Sequence, residues 1–353
     1  MNESVRSRRR SPARGPIRRF LRLAAVLVLA GSASLLGGCS IENSAARVGR
    51  AGGHGDDPAS TAPSATPPAQ LMDAVCGDAP EVSDAGRINT PEITEASGLV
   101  ASWVNADAWW ITNDSGDTAR IFALGTDGDL LATVDIAGAE ARDWESLAIG
   151  PPMHGMNPTL YVGDTGNNLM RTDKAATSRT TMRVYRFTEP VIDRGTVPQQ
   201  LRATAETLNL RFADGPHDVE AMVVDPVSGD LVFVTKEWSR LGTSGVYRAP
   251  AGLAAGSTTT LERVGEVPLE PGTLVTGADV TRDGSLVALR SYGAVDLYRR
   301  PAGEPLWAAF STTPCSGPSP GELQGESIAF APDGGSYMTV AEGPDPVLHL
   351  TVP

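Results

Sequence analysis

Five acidic residues stand at the head of five short apolar runs, and chemistry could reside where those heads meet. They are Glu95 before Ala96-Ser97-Gly98-Leu99-Val100, Glu145 before Ser146-Leu147-Ala148-Ile149, Glu220 before Ala221-Met222-Val223-Val224, Asp279 before Val280, and Glu326 before Ser327-Ile328-Ala329-Phe330. Intervals of 50, 75, 59 and 47 residues separate them. Carboxylates gathered from five segments cannot all stay ionised in a narrow space without positive compensation. A hard cation supplies it by taking about six to eight oxygen ligands. Glu95, Glu145, Glu220, Asp279 and Glu326 are therefore candidate metal ligands, with Ca2+ the expected ion. The competing reading is that these acids cap turns and stay solvated.

A second set follows if the next apolar run returns antiparallel beside the first. The head of one run then neighbours the tail of the next. This pairs Glu95 with Asp114, Glu145 with Asp164, Glu220 with Lys236 or Glu237, Asp279 with Arg290, and Glu326 with Glu342. The separation is 19 residues in each of the first two pairs. Asn113-Asp114-Ser115-Gly116-Asp117 and Gly163-Asp164-Thr165-Gly166-Asn167-Asn168 are near copies, oxygen-rich and equally good turn formers. Asp114, Asp164, Asn168, Lys236, Arg290 and Glu342 are thus candidate ligand-binding residues. Candidate catalytic groups are Asp164, the cation Arg142, and His217, which sits three residues before Glu220 as a possible general base. Trp109, Trp110, Trp144 and Trp238 lie beside these positions, either walling a pocket or packing between sheets. The chain contains no Gly-x-Ser-x-Gly elbow, no His-Glu-x-x-His and no phosphate-binding glycine loop.

The elements that must position these groups are strands. From residue 91, runs of Val, Leu, Ile, Trp, Tyr and Phe alternate with turns such as Asp127-Gly128, Asp283-Gly284 and Asp333-Gly334. Each acid-headed run is followed by a second, a third and usually a weaker fourth, the last exemplified by Leu306-Trp307-Ala308-Ala309-Phe310. Four antiparallel strands about every 50 residues describe a β-propeller blade. The expectation is an all-β, five-bladed β-propeller over residues 76–353. Six blades are the alternative, because the interval from Glu145 to Glu220 is long, although 165–182 and 190–203 read as loops. A pair of β-sandwiches would leave the recurring acid unexplained. The fifth copy ends at the C-terminus after its third run, so its fourth strand is expected from the residues just after Cys76, closing the ring.

Residues 1–38 carry eight of the 29 basic residues and one of the 42 acidic ones, which leaves the remainder at −20. That balance excludes nucleic acid as a partner. The Arg-rich start, the apolar run from Leu23 to Leu36 and the small residues after it have the layout of a signal peptide. Residues 39–75 are poor in large apolar side chains and read as a flexible tether. The two cysteines inside the folded region, Cys76 and Cys315, are expected to form a disulfide in an oxidising compartment, the alternative being two free thiols.

Two resemblances attach to these residues. Leu36-Gly37-Gly38-Cys39 resembles the lipobox of bacterial lipoproteins, which implies lipidation at Cys39 and membrane anchoring on the extracytoplasmic face. The acid-headed runs and Gly163-Asp164-Thr165-Gly166-Asn167-Asn168 resemble a group of secreted actinobacterial propellers, some labelled esterase-like phytase domains. The acids Glu95, Glu145, Glu220 and Glu326 also resemble the carboxylate ring of five-bladed calcium-activated nucleotidases, which implies calcium in the channel. The chain departs from that pattern in offering only Arg142, Lys236 and Arg290 as cations for phosphates. The expected function is an exported, lipid-anchored, monomeric binding or scaffold module at the cell envelope. The alternative is a metal-dependent hydrolase of phosphoesters or carboxylic esters.

Overall fold

Strand-forming runs of about six residues, each closed by a turn, can bury both faces only by stacking sheet on sheet. In the computed structural model they form five antiparallel sheets arranged as the blades of a β-propeller. The structure describes residues 66–77, 79–172, 178–322 and 324–353. The signal peptide, Cys39 and the tether up to residue 65 lie outside the described residues.

From the inside outward, the first blade comprises Ala96–Ala101, Ala108–Asn113, Arg120–Gly125 and Leu130–Ala137. The second comprises Trp144–Gly150, Thr159–Asp164, Met182–Thr188 and Glu206–Arg211. The third is Val219–Val224, Leu231–Thr235, Thr243–Ala249 and Glu262–Pro268, and the fourth is Val275–Val280, Leu286–Ser291, Ala294–Arg299 and Cys315–Gly317. The fifth is Gly325–Phe330, Tyr337–Ala341, Val347–Val352 and, antiparallel to the last of these, Glu81–Arg87. The innermost strands pack one against the next around the ring, and that of the fifth blade touches that of the first. Every residue of the five inner strands is buried, whereas outer strands such as Gln199–Thr204 alternate or stay exposed. Burial on both faces explains why the inner runs read as continuous apolar stretches.

Three segments differ from the sequence reading. Residues 190–203 are not simply a loop, since Gln199–Thr204 pairs in parallel with Leu130–Ala137 and extends the first blade. The long second interval therefore holds an extra strand for a neighbouring sheet, not a sixth blade. Leu306–Ser311 is a 3-10 helix, and the short strand Cys315–Gly317 takes the outer place. Within the expected tether, Pro67–Cys76 forms an α-helix. Its Pro68, Leu71, Met72 and Val75 are buried at helical spacing, the last three in a cluster with Leu286, Leu297, Phe330 and Tyr337. A ten-residue helix is marginal alone, so this contact and not local propensity holds it. Cys76, its last residue, is bridged to Cys315 across 239 positions, tying the helix to the outer strand of the fourth blade. No helix among the described residues is long and apolar enough to cross a membrane.

Candidate functional site

Each inner strand of the second to fifth blades begins with the same irregularity. The pairing register slips by one residue at Glu145, Glu220, Thr276 and Glu326, the extra residue in each ladder. In the first blade the slip spans Ser97 and Gly98. A bulge leaves its extra residue outside the ladder and re-aims its side chain. Here Ser97, Glu145, Glu220, Thr276 and Glu326 surround one central cavity of about 10 Å3. That is room for a single water-sized species. The ring therefore consists of three carboxylates and two hydroxyls, and it plugs the channel.

This corrects two of the five acids. Glu95 lies two residues before the bulge, and the hydroxyl of Ser97 takes the ring position, donating to the Glu145 carbonyl at 3.0 Å. Asp279 lies three residues after Thr276, near the far end of its strand, and accepts the N–H of Phe330 at 2.7 Å. Burial pushes its carboxyl up to about 7. The recurring motif was aligned on its acids, and in these two blades the acid is not in the equivalent place.

Just outside the ring, the backbone N–H of Asp114 donates to the Glu95 carbonyl, that of Lys236 to Asp218, and that of Glu342 to Gln324. Asp114, Lys236 and Glu342 are thus equivalent positions in three blades. In the second blade the same bond comes from Gly166, to the Asp143 carbonyl. The 19-residue match between Glu95–Asp114 and Glu145–Asp164 is therefore a coincidence of loop length. The glycine matters, because a Cβ at Gly166 would meet Glu145 Oε1 at 2.4 Å and the Asp143 carboxyl at 2.7 Å. Its absence lets Asp143 and Glu145 fold in beside Asp114, and carboxylate oxygens of these three lie within 4.8 Å of one another.

Charge is distributed unevenly around this mouth. Beneath the third and fourth blades, Lys236 Nζ pairs with Glu220 and donates to the Tyr292 hydroxyl at 2.8 Å. The fully buried Arg290 pairs with Glu322, which also receives His349 Nδ1 at 2.7 Å. Beneath the first and second blades, Asp114, Asp143 and Glu145 have no ion pair among the described residues. The nearby Arg179 gives Nη1 to Asp164 at 2.7 Å, while its buried Nε and Nη2 have no hydrogen-bond partner among the described residues. Burial pushes the Asp114 carboxyl up to about 7, with the Asp143 charge adding to it. Burial likewise raises Asp143, against the opposing charge of Arg179. Glu145 is raised well above the carboxylate range by burial and then by the charges of Glu220, Asp114 and Asp143. Glu326 rises to about 7 through burial despite Lys236, and Glu220 rises too. Glu220 Oε2 is buried with no hydrogen-bond partner among the described residues.

The other expected residues are placed as follows. Asp164 accepts the Asp143 N–H at 3.2 Å and Asn168 Nδ2 reaches Asp143 Oδ1 at 3.4 Å, so both buttress the acid cluster. Glu342 is bound by the Gln324 amide, and its charge is felt by Asp114 and Glu326. Arg290 faces Gly277 and Glu322, not Asp279. Arg142 is exposed and forms no ion pair among the described residues. His217 sits outside the ring, with Nδ1 3.4 Å from Glu237 and Nε2 3.2 Å from Asp214 and 3.1 Å from the Tyr247 hydroxyl. Burial disfavours its charged form, but hydrogen bonding to Glu237 and the Asp214 charge outweigh this and raise its pKa. Trp109, Trp110 and Trp144 are packing residues, at most 5 % exposed. Trp238 alone reaches the mouth, donating to Asp218 at 2.7 Å with Lys236 Nζ 5.3 Å from its ring centre.

Sequence reasoning missed Asp143, Arg179, Asp218, Tyr292 and Glu322, along with the hydroxyls Ser97 and Thr276. One signal was present: Asp143-Trp144-Glu145 and Asp218-Val219-Glu220 are two copies of Asp-x-Glu at equivalent places. No protein-family model matches the chain, and no curated protein matches it.

Proposed function

We propose that this propeller is an exported binding module whose acidic mouth takes a divalent cation, Ca2+ the expected one. The observation that carries the reading is the Asp114–Asp143–Glu145 cluster, three carboxylates within 4.8 Å and without an ion pair among the described residues. An all-oxygen donor set suits a hard cation. A cation there would leave coordination places open toward solvent, where it could hold an anionic or oxygen-rich ligand. The Cys76–Cys315 disulfide supports an oxidising, extracytoplasmic setting, and Cys39 is the proposed lipid attachment point.

Calorimetric titration of Ca2+ into chelator-treated protein tests the cation, with thermal unfolding in parallel. At a hundredfold excess over Kd, the stabilisation of about 2.7 kcal/mol corresponds to a Tm rise of roughly 5 °C. No heat and no Tm change with Ca2+, Mg2+ or Mn2+ would leave the cluster as a set of protonated or solvated carboxyls and end this reading. Mass spectrometry of the N-terminal peptide from the membrane fraction tests the anchor, which fails if Cys39 carries no acyl chain.

A further inference from the structure

At the end of the blades away from the acidic mouth, the second and third blades part around a cavity of about 320 Å3. Pro151, Pro152, Met153, Leu208 and Leu253 give it an apolar wall. The volume is at the lower end of the range for sites that take small molecules. Val227, on the rim, is 72 % exposed, and Met156, in the same loop as Met153, is 93 % exposed.

The cavity also has a polar wall, built by register. Tyr161, Arg186 and Glu206 stand directly opposite one another on three successive strands of the second blade, so their side chains share one face. Arg186, 6 % exposed, gives Nε to Glu206 at 2.8 Å and Nη2 to the Leu253 carbonyl at 2.8 Å. Its Nη1 has no hydrogen-bond partner among the described residues. Tyr161, 4 % exposed, lines the cavity too, and its hydroxyl likewise has no partner there. Burial keeps that hydroxyl protonated, pushing its pKa up to about 12 despite Arg186. Both donors stand at the cavity wall on facing residues of neighbouring strands, so one acceptor in the cavity can take both. Glu206 already neutralises the guanidinium, so the missing group need carry no charge.

We infer that the cavity between the second and third blades binds a small apolar molecule carrying one carbonyl acceptor. The apolar part lies against Met153, Leu208 and Leu253, and the carbonyl oxygen accepts from Tyr161 Oη and Arg186 Nη1. Nothing in this inference depends on a cation at the opposite mouth.

The test uses the purified protein with labelled Met and Leu methyl groups, titrated with three matched probes and followed by NMR. The probes are 3-phenylpropanamide, 3-phenylpropanoate and 3-phenylpropylammonium. The expected result is saturable shifts at Met153, Leu208 and Leu253 with the amide, and much weaker ones with the ammonium, which offers no acceptor. Tyr161→Phe keeps the ring and removes the donor, and is expected to weaken amide binding about fivefold. Ala251→Trp, at an exposed wall position, is expected to abolish binding by filling the cavity. Tighter binding of the propanoate than of the amide would assign the site to an acid and overturn the neutral-acceptor statement. Absence of saturable shifts with the amide, equal affinity for the ammonium, or an unchanged Kd in Tyr161→Phe would each overturn the inference. Removing Ca2+ separates the two sites, since the amide Kd should not change.

Discussion

The two sides of the channel mouth hold similar numbers of acids and solve the problem of their charge differently. Below the third and fourth blades, two buried carboxylates have a cation from the chain: Lys236 for Glu220 and Arg290 for Glu322. Below the first and second blades, Asp114, Asp143 and Glu145 face one another, and the register places Thr165 where the third blade has Lys236. The first side is internally neutralised and structural in character. On the second side Glu145 is buried and Asp114 and Asp143 are half-buried, with no ion pair among the described residues, so a proton or an external cation must supply the balance. Position in the fold is equivalent; the difference is one side chain at one place per blade.

The largest expected effect breaks the neutralised side. Lys236→Met leaves Glu220 buried without its partner, which should cost about 3–5 kcal/mol in urea unfolding. Adding Glu220→Gln to that variant should recover most of the loss. If Lys236→Met costs under 1 kcal/mol, the two sides are not distinct.

The uncompensated side should respond with the opposite sign. Glu145→Gln removes one of three mutually repelling carboxylates, so in chelator the variant should be as stable as the parent or about 1 kcal/mol more stable. The same change should abolish the Tm rise with Ca2+. A variant that is destabilised yet keeps its calcium response would place the cation elsewhere.

The smallest effect is in pH. Asp114, Asp279 and Glu326 are each raised to about 7 in the folded chain. In the unfolded chain they return to about 4, so between these values the folded state holds more protons. Their contribution is then fully present below pH 4 and is lost as the pH rises through 7. In chelator, Tm should be higher at pH 5.5 than at pH 8, with Asp279→Asn flattening part of the slope. Ca2+ should raise Tm more at pH 8 than at pH 5.5, because protons and the cation compete for the same carboxylates. A chelated protein more stable at pH 8 would contradict the burial argument for all three groups.

Much of the architecture was legible because it is written locally. The repeat of acid, apolar run and Asp-Gly turn reports strands of fixed length, and strands of fixed length in groups of four report blades. Glu145, Glu220 and Glu326 were identifiable because the acid in those blades coincides with the bulge. Ser97 and Thr276 were not, since a hydroxyl before an apolar run carries no distinctive signal. Pro67–Cys76 was missed because its apolar positions are too few to stand out from a Pro- and Ala-rich segment. Gln199–Thr204 was missed because its pairing partner is not in its own blade.

The amino-acid sequence alone determined that five sheets would form, that Cys76 and Cys315 could be joined, and that acids would crowd one end of a channel. These follow from composition, period and spacing, all properties of short segments. Tertiary structure decided which acids meet. The bulge at the head of each inner strand aims one residue into the ring, and that residue is Glu145 in the second blade but Ser97, two positions after Glu95, in the first. Whether a carboxylate found an ammonium or another carboxylate depended on residues about 20 positions away, brought beside it only by the return of the next strand.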